Sequence, residues 1–533
     1  MINLIKIKIL LFFIVPIISL IGGIWHGQFI NDGYHWGFIF SNALELLNEK
    51  KPFEEIFIQY GLGTTLIHSF ILFLFEKNIF SIVVFTSFIY SISLYLISNI
   101  TYKLTKNFFY SLFSSVSIFL IYPWPTSPWP NFISFFFIVL FYRLYISGNS
   151  KKNFISGILL GMSYLSLTII YNFVILLFLT LLLILFYLFK KKYFVFIKKN
   201  FYMMGGFFLI IFLFLIYLIY SNLFETWFLY QKIPFILSDH YNITLLHKIY
   251  EYIIFLYIYT FSNFIYEPQF LFYSIIFTVN IGYLIVNFMY LIQKDYEKIN
   301  QNLLVLNLLV FSLNFKSQLY GMDKLATSLS LGVITLFYII NNLKKKENRF
   351  ILNFIISFII SYSLIFSFEM TNSHFNGNRY IHYQDLKHTN NKFKQKNISY
   401  FSLQKWDKNT WHPLIEYIHY QKKVKNTCNI EYAVNLTSQS YFYVLFDFKK
   451  IQLIPFIIQT HKDILMKYFE PNLINDIQKL INDDNLLIIT FENNEEILDL
   501  QNYYLSKKIN LNKYNGKISN YFYIYLPKKC ILS

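Results

Sequence analysis

Residues 201–221 read FYMMGGFFLIIFLFLIYLIYS, and residues 270–292 read FLFYSIIFTVNIGYLIVNFMYLI. Neither stretch holds a carboxylate, a lysine, an arginine or a histidine. As a helix rising about 1.5 Å per residue, each is long enough to cross the ~30 Å hydrocarbon layer of a bilayer. Composition extends the reading to the whole chain. Of 533 residues, 56% are hydrophobic and 14% are charged, against about a quarter charged in soluble domains. That excludes a disordered chain and argues against an ordinary soluble enzyme. The expected fold is an α-helical polytopic membrane protein.

The net charge of +17 does not point to nucleic acid, because the lysines gather in short clusters at the ends of apolar runs, as membrane topology requires. Lys151 and Lys152, Lys190 to Lys192 with Lys198 and Lys199, and Lys344 to Lys346 with Arg349 are expected on the cytoplasmic side. That rule holds only if the short runs 64–75 and 251–265 are interfacial or re-entrant helices on the outer side. The expected spans are then 4–24, 79–99, 108–122, 131–147, 154–170, 172–189, 201–221, 270–292, 303–319, 325–342 and 350–367. About eleven crossings place the N-terminus inside and the C-terminal part outside a cytoplasmic (inner) membrane. The first run, although preceded by Lys6 and Lys8, lacks a small-residue cleavage site and reads as a retained span rather than a signal peptide.

The membrane domain is expected over 1–367, with a first outer loop at 25–78. From 368 to 533 the composition turns polar, and a small extracytoplasmic α/β domain is expected. Asn429 to Leu436, Tyr441 to Phe446, Leu486 to Phe491 and Tyr521 to Leu526 have the β-branched and aromatic character of strands, and His461 to Asn482 has helical periodicity. Cys428 and Cys530 both fall in this domain, and sequence leaves open whether they form a bridge.

The first outer loop carries the densest chemical signal: His26-Gly27-Gln28-Phe29-Ile30-Asn31-Asp32-Gly33-Tyr34-His35-Trp36-Gly37. Asn31-Asp32-Gly33 is a turn and helix-start signature. Behind it Trp36, Phe40, Ala43, Leu44 and Leu47 repeat at helical spacing until Pro52, which predicts an amphipathic helix lying along the outer membrane surface. Asp32 then has two readings: a helix N-cap, or a carboxylate that takes a proton from an acceptor hydroxyl or holds a metal that does so. Downstream runs Lys51-Pro52-Phe53-Glu54-Glu55-Ile56-Phe57-Ile58-Gln59-Tyr60-Gly61-Leu62-Gly63-Thr64-Thr65. Thr64 or Thr65 is a candidate cap for the short helix containing His68. Glu54 and Glu55 are either solvated or ligands for an acceptor or a divalent cation. His26, His35 and His68 lack a zinc spacing.

A first span, an acid before Gly-Tyr, an amphipathic helix, a Lys-Pro-Phe step and a Gln-Tyr-Gly-Leu-Gly turn together resemble the membrane glycosyltransferases of the GT-C superfamily, best over residues 1–78. The resemblance implies transfer of a sugar from a polyprenyl-phosphate carrier to a glycan, lipid or protein acceptor at the outer membrane face. Asp32 would be the catalytic aspartate, and His35, Glu54, Glu55, Gln59 and Tyr60 would bind substrate. Many relatives carry a second acidic motif in a following outer loop. Here the loop Pro123 to Pro130 has no acid, so a Mg or Mn ion is left as an open requirement, with Glu225, Asp239 and Glu267 as substitute ligands.

A carrier phosphate calls for cations near the outer surface. Lys316-Ser317-Gln318-Leu319-Tyr320-Gly321-Met322-Asp323-Lys324 lies between two expected spans on that side. Lys316 and Lys324 either snorkel and pair locally with Asp323 or clamp the phosphate. Arg379, at the start of the outer domain, is a further candidate. There is no phosphate-cradling Gly-Lys-Ser/Thr loop and no nucleophile elbow. Two rivals to the transferase are a flippase or transporter for lipid-linked sugars and a polymerase of such sugars.

Overall fold

The computed structural model describes residues 2–28, 35–58, 60–125, 127–189, 194–240, 268–314, 322–343, 346–369, 389–390, 406–435, 448–451, 478–491, 500–510 and 521–530. In the N-terminal part the described helices are α1 (Ile2–His26), α2 (His35–Leu47), α3 (Leu62–Leu74), α4 (Ile79–Thr105), α5 (Phe108–Ile121), α6 (Pro130–Tyr145), α7 (Ser150–Ser166) and α8 (Thr168–Phe189). They continue with α9 (Phe194–Tyr220), α10 (Phe224–His240), α11 (Pro268–Ile292), α12 (Gln301–Asn314), α13 (Met322–Leu329), α14 (Val333–Asn342) and α15 (Lys346–Glu369).

Each expected span overlaps a described helix: 154–170 is broken at Leu167, between α7 and α8, 303–319 is described as far as Asn314, and 325–342 is divided between α13 and α14 by a short 3-10 turn at Ser330–Gly332. Among the described residues five segments are long and apolar enough to cross a membrane by length and composition: Ile79–Thr105, Tyr171–Phe189, Phe196–Tyr220, Phe272–Ile292 and Lys324–Asn342. Bare apolar side chains mark their outward faces, among them Leu176, Leu183, Phe212, Leu213, Val286 and Met289. In water such surface would be costly; against lipid tails it is at home.

Local chemistry sets the helix starts. Asn78, Asn107 and Asn149 cap α4, α5 and α7 by accepting backbone N–H groups, and Pro130 occupies the first position of α6, where its missing N–H costs nothing. Inside the bundle, hydroxyls return to their own helix: Thr86 donates to Ile82 O at 2.8 Å and Ser91 to Ser87 O at 2.8 Å. The closest helix contact is between α7 and α9. Gly157 and Gly161 form a Gly-x-x-x-Gly step against Met203 and Ile210, while Gly206 of α9 lies against Phe154 O. This step, visible in the sequence but not singled out above, lets two backbones approach without side chains between them.

Two features of the first outer loop differ from expectation. The amphipathic helix α2 does not lie with one face open. Trp36, Phe40, Ala43 and Leu44 are buried with Leu72, Ile79, Ile82 and Val83, in a cluster continuous with the C-terminal domain core. Phe38 is buried on another side with Phe53, Phe57 and Leu62, and Ser41, Asn42 and Glu45 are buried too. Phe38 and Ile39, off the predicted stripe, explain the second buried face. The short helix α3 does keep one bare apolar face, with Leu66, Phe70, Phe73 and Leu74 exposed, as an interfacial helix should. The companion run 251–265 lies outside the described residues.

The C-terminal part contains a five-stranded sheet of β3 (Tyr432–Asn435), β4 (Lys449–Ile451), β5 (Leu486–Phe491), β6 (Tyr503–Asn510) and β7 (Tyr521–Pro527), in spatial order β4-β3-β5-β7-β6. A two-stranded pair, β1 (Thr389–Asn390) and β2 (Trp406–Asp407), precedes it. β3 pairs in parallel with β4 and β5, whereas β7 is antiparallel to β5 and β6. Alternation along β5 divides the core: Leu487 and Ile489 face one cluster, Leu486 and Ile488 the other. Three of the expected strands are present in shortened or matching form, the stretch Tyr441 to Phe446 lies outside the described residues, and β6 was not expected. Helix α16 (Lys408–Thr427) was also missed, and of the helix expected at His461 to Asn482 the described part, 478–482, is helical. Cys428 and Cys530 form a disulfide with Cα atoms 5.5 Å apart.

Two glycine substitutions distinguish close packing from simple helix propensity. A Cβ at Gly157 would stand 1.8 Å from Met203 O, while one at Gly282 meets nothing within 4 Å. Gly157→Ala is expected to lower stability by about 1–3 kcal/mol, and Gly282→Ala to leave it unchanged or raise it by up to about 1 kcal/mol, read as thermal unfolding midpoints of the purified protein.

Candidate functional site

The three segments expected as outer loops meet at one end of the bundle. Tyr60 of the first packs edge-on against Trp129 of the Pro-Trp loop, with ring centroids 5.7 Å apart. Phe57 packs edge-on against Tyr230 of α10 at 5.0 Å, and Tyr230 also contacts Phe53 at 5.9 Å. The Pro-Trp loop is in turn fastened to α1, where Ser19 donates to Pro123 O at 2.6 Å, and Gly22 is closely covered by Trp124.

The Lys-Pro-Phe step is a tight turn. Phe53 has φ 67°, in the left-handed region that a bulky L residue enters at a cost of about 1–2 kcal/mol. Its N–H donates to Ile56 O at 2.9 Å, and its ring is buried with Phe57 and Tyr230, which offsets that strain. Glu54 and Glu55 stand on the exposed side. Lys50 Nζ is 2.6 Å from Glu55, whose other oxygen accepts the Lys51 N–H at 2.9 Å, and Lys51 Nζ is 3.3 Å from Glu54. The hydrogen bond from Lys50, then that from the Lys51 backbone, holds the Glu55 carboxyl below the usual range. Both carboxylates serve the turn, and neither lines the cleft described next.

That cleft lies between α2 and α3 and is lined by Phe38, Ile39, Asn42, Tyr60, Gly61, Thr64, Thr65 and His68; the space inside it is about 10 Å³, room for about one water molecule. Its position follows from the Tyr-Gly-Leu-Gly turn. Gly61 and Gly63 press on the backbone of Leu165 and Ser166 at the end of α7; a Cβ on Gly61 would come within 2.4 Å of Leu165 O. Thr64 locks the contact by donating to Ser166 O at 2.7 Å. Thr64 and Thr65 are therefore not caps: the helix begins at Leu62, its N-cap is Gly61, and no side chain caps it. On the opposite wall Asn42 Nδ2 donates to Phe57 O at 2.7 Å.

His68 is the chemical centre of the cleft. It is 0% exposed, and among the described residues neither ring nitrogen has a hydrogen-bond partner. Burial pulls its pKa from 6.5 down to about 3, so it presents a neutral imidazole with one N–H donor and one bare nitrogen acceptor. The lining contains no formal charge at neutral pH. Aromatic rings, an amide, hydroxyls and a neutral imidazole suit an uncharged polar group, and the space admits a single hydroxyl or water rather than a whole ring. The sequence placed His68 in a short helix without assigning it a role. The Gly-x-Gly-Thr start four residues earlier marked the helix, but not its burial against Ser166.

The remaining sequence candidates separate into three sets. Tyr60 lines the cleft. His35 opens α2, Asp323 is the second residue of α13, and Lys324, half-buried in the same helix, does not line the cleft. Asp32, Gln59, Lys316 and Arg379 lie outside the described residues. Of the substitute acids, Glu225 is exposed on α10, Asp239 is near the end of that helix, and Glu267 is outside the described residues. Among the described residues no three His, Cys, Asp or Glu side chains converge as a metal site.

The buried imidazole has a pH signature. The unfolded chain takes up a proton near pH 6.5 that the folded chain refuses until about pH 3, so stability falls as pH drops through that window. Between about pH 6.5 and 4.5 the loss from His68 amounts to roughly 2–3 kcal/mol. In chemical or thermal unfolding measured at both pH values, His68→Leu is expected to shrink the acid destabilisation by that amount.

Comparisons with protein-family models and with curated proteins find no match to this chain.

Proposed function

We propose that this chain is a glycosyltransferase of the cytoplasmic membrane that moves a sugar from a polyprenyl-phosphate carrier to a glycan, lipid or protein acceptor at the outer face. The observation that carries the reading is the neutral polar cleft at His68. It is built from the Gln-Tyr-Gly-Leu-Gly turn and from α2, the helix that begins three residues after Asp32. The convergence of three loop segments at this end, away from the lysine-rich helix ends, supports the eleven-span topology with the N-terminus inside and the C-terminal domain outside.

In this reading Asp32 accepts the proton of the acceptor hydroxyl as its oxygen forms a bond to the anomeric carbon. The bond from that carbon to the carrier phosphate oxygen breaks with inversion, and the phosphate departs with the electron pair. Lys316, Lys324 or Arg379 stabilises the charge growing on it. Tyr60, partly exposed at the cleft, holds an uncharged part of the substrate by ring contact, with the buried His68 behind it. A Mg or Mn ion, if the reaction uses one, would take oxygen ligands from acids such as Asp32.

The test is sugar transfer by purified protein from a lipid-linked donor. Asp32→Asn keeps the shape and removes the basicity, and should lower the rate by about 10²–10⁴-fold, whereas Glu54→Gln, which alters a solvated pair with Lys51, should change it little. An Asn variant that transfers at the unmodified rate overturns the assigned role. Accumulation of complete lipid-linked precursor in cells lacking the gene, rather than an acceptor short of one sugar, favours a flippase.

A further inference from the structure

At the end of the bundle opposite the cleft, three half-buried cations gather around the last turn of α6. Arg143 Nε donates to Asn99 Oδ1 of α4 at 2.6 Å. One turn further along α4, Lys103 Nζ reaches Ile146 O at 3.3 Å and Ser147 Oγ at 3.4 Å. From α9, Lys199 Nζ donates to Asn302 Oδ1 at 2.8 Å and sits 3.7 Å above the Tyr145 ring.

All the acceptors these cations meet are neutral. Among the described residues none of the three is in an ion pair. Snorkelling and the favourable end of the α6 dipole account for one cation in such a place, but not for three held together without a counter-charge. The donor inventory points the same way. Among the described residues Arg143 donates through Nε, which leaves the paired terminal nitrogens of the guanidinium for a two-oxygen acceptor. This is one of three arginines in a chain with 46 cationic side chains.

We propose that Arg143, Lys103 and Lys199 form a binding site for the phosphodiester headgroup of an anionic membrane lipid. A lipid rather than a soluble phosphate fits because the same helix ends carry bare aromatic side chains, Tyr102 beside Lys103 and Phe201 with Tyr202 beside Lys199. These give acyl chains and the glycerol region exposed aromatic surface on the same helix turns as the cations. The site is independent of the outer cleft and of the transferase reading.

The experiment is native mass spectrometry of the full chain, released from micelles containing equal amounts of phosphatidylglycerol and phosphatidylcholine. The wild-type protein should retain phosphatidylglycerol preferentially. Arg143→Gln alone should reduce that preference about five-fold, and the combination with Lys103→Gln and Lys199→Gln should abolish it, on the scale of one surface cation per lipid contact. A control removes the same number of exposed cations at the same end, Lys106→Gln, Lys151→Gln and Lys198→Gln, and should leave most of the preference intact. Equal loss in both triple variants would reduce the effect to general attraction and overturn the site. So would an Arg143→Gln protein, folded by its thermal midpoint, that keeps the full preference. Displacement of the lipid by millimolar inorganic phosphate would assign the cluster to a soluble anion and overturn the lipid reading.

Discussion

The seat of helix α3 on the end of α7 is the contact on which the rest of the cleft end of the bundle depends. Two glycines remove the side chains that would hold the backbones apart, and one threonine hydroxyl satisfies a helix-terminal carbonyl that would otherwise be buried without a donor. That seat fixes the start of α3 and the direction in which His68 points. The opposite wall, α2, is set by its own burial and by the Asn42 bond to the Phe57 carbonyl. A cleft between two short helices thereby gains rigid sides, which a binding site needs and an exposed loop does not provide.

The turn that leads into this seat shows how the loop bears strain. Phe53 adopts a left-handed backbone that its side chain disfavours, yet the ring is enclosed by Phe57 and Tyr230. The aromatic burial is large and the backbone penalty small, so the turn is held. Lys50 and Lys51 then neutralise Glu55 and Glu54 on the solvent side. Pairs so exposed contribute little to stability. Their effect is to keep two carboxylates out of the cleft, where an unpaired charge would be costly.

Helix positions were legible because their signals are local. Long runs without charge, asparagine caps and a proline at the start of α6 can each be read within a few residues, and each expected run overlaps a described helix, five described segments being long and apolar enough to cross a membrane. The C-terminal sheet was legible where strands alternate strongly, as at Leu486 to Phe491. It was missed at Tyr503–Asn510, where lysines and serine interrupt the apolar pattern. The environment of α2 was not legible, since a helix with one strong stripe looks interfacial until Phe38 and Ile39 find partners from distant segments. His68 was invisible for the same reason: whether an imidazole is solvated or sealed depends on how its helix is seated, and α3 is seated through Gly61, Gly63 and Thr64 on Leu165 and Ser166, about a hundred residues away. The Cys428–Cys530 bridge, open from sequence, needed the helix α16 that the sequence reading did not see.

Charge is divided between the two ends of the molecule in a way that constrains any reaction at the outer one. The cleft is neutral at every described position, and a neutral imidazole cannot balance a phosphate. An uncharged sugar or acceptor hydroxyl is therefore the part of a substrate that this lining can hold, because hydrogen bonds to such groups need no counter-ion to survive burial. A phosphate would have to rest on cations outside the lining, and Lys50 and Lys51 are already engaged by Glu55 and Glu54. On the proposed reading this leaves the charged chemistry to Asp32 and to Lys316, Lys324 or Arg379, none of which is among the described residues that line the cleft, and gives the lining an uncharged hydroxyl to meet. A neutral lining adds no charge that would compete with those groups for the departing phosphate.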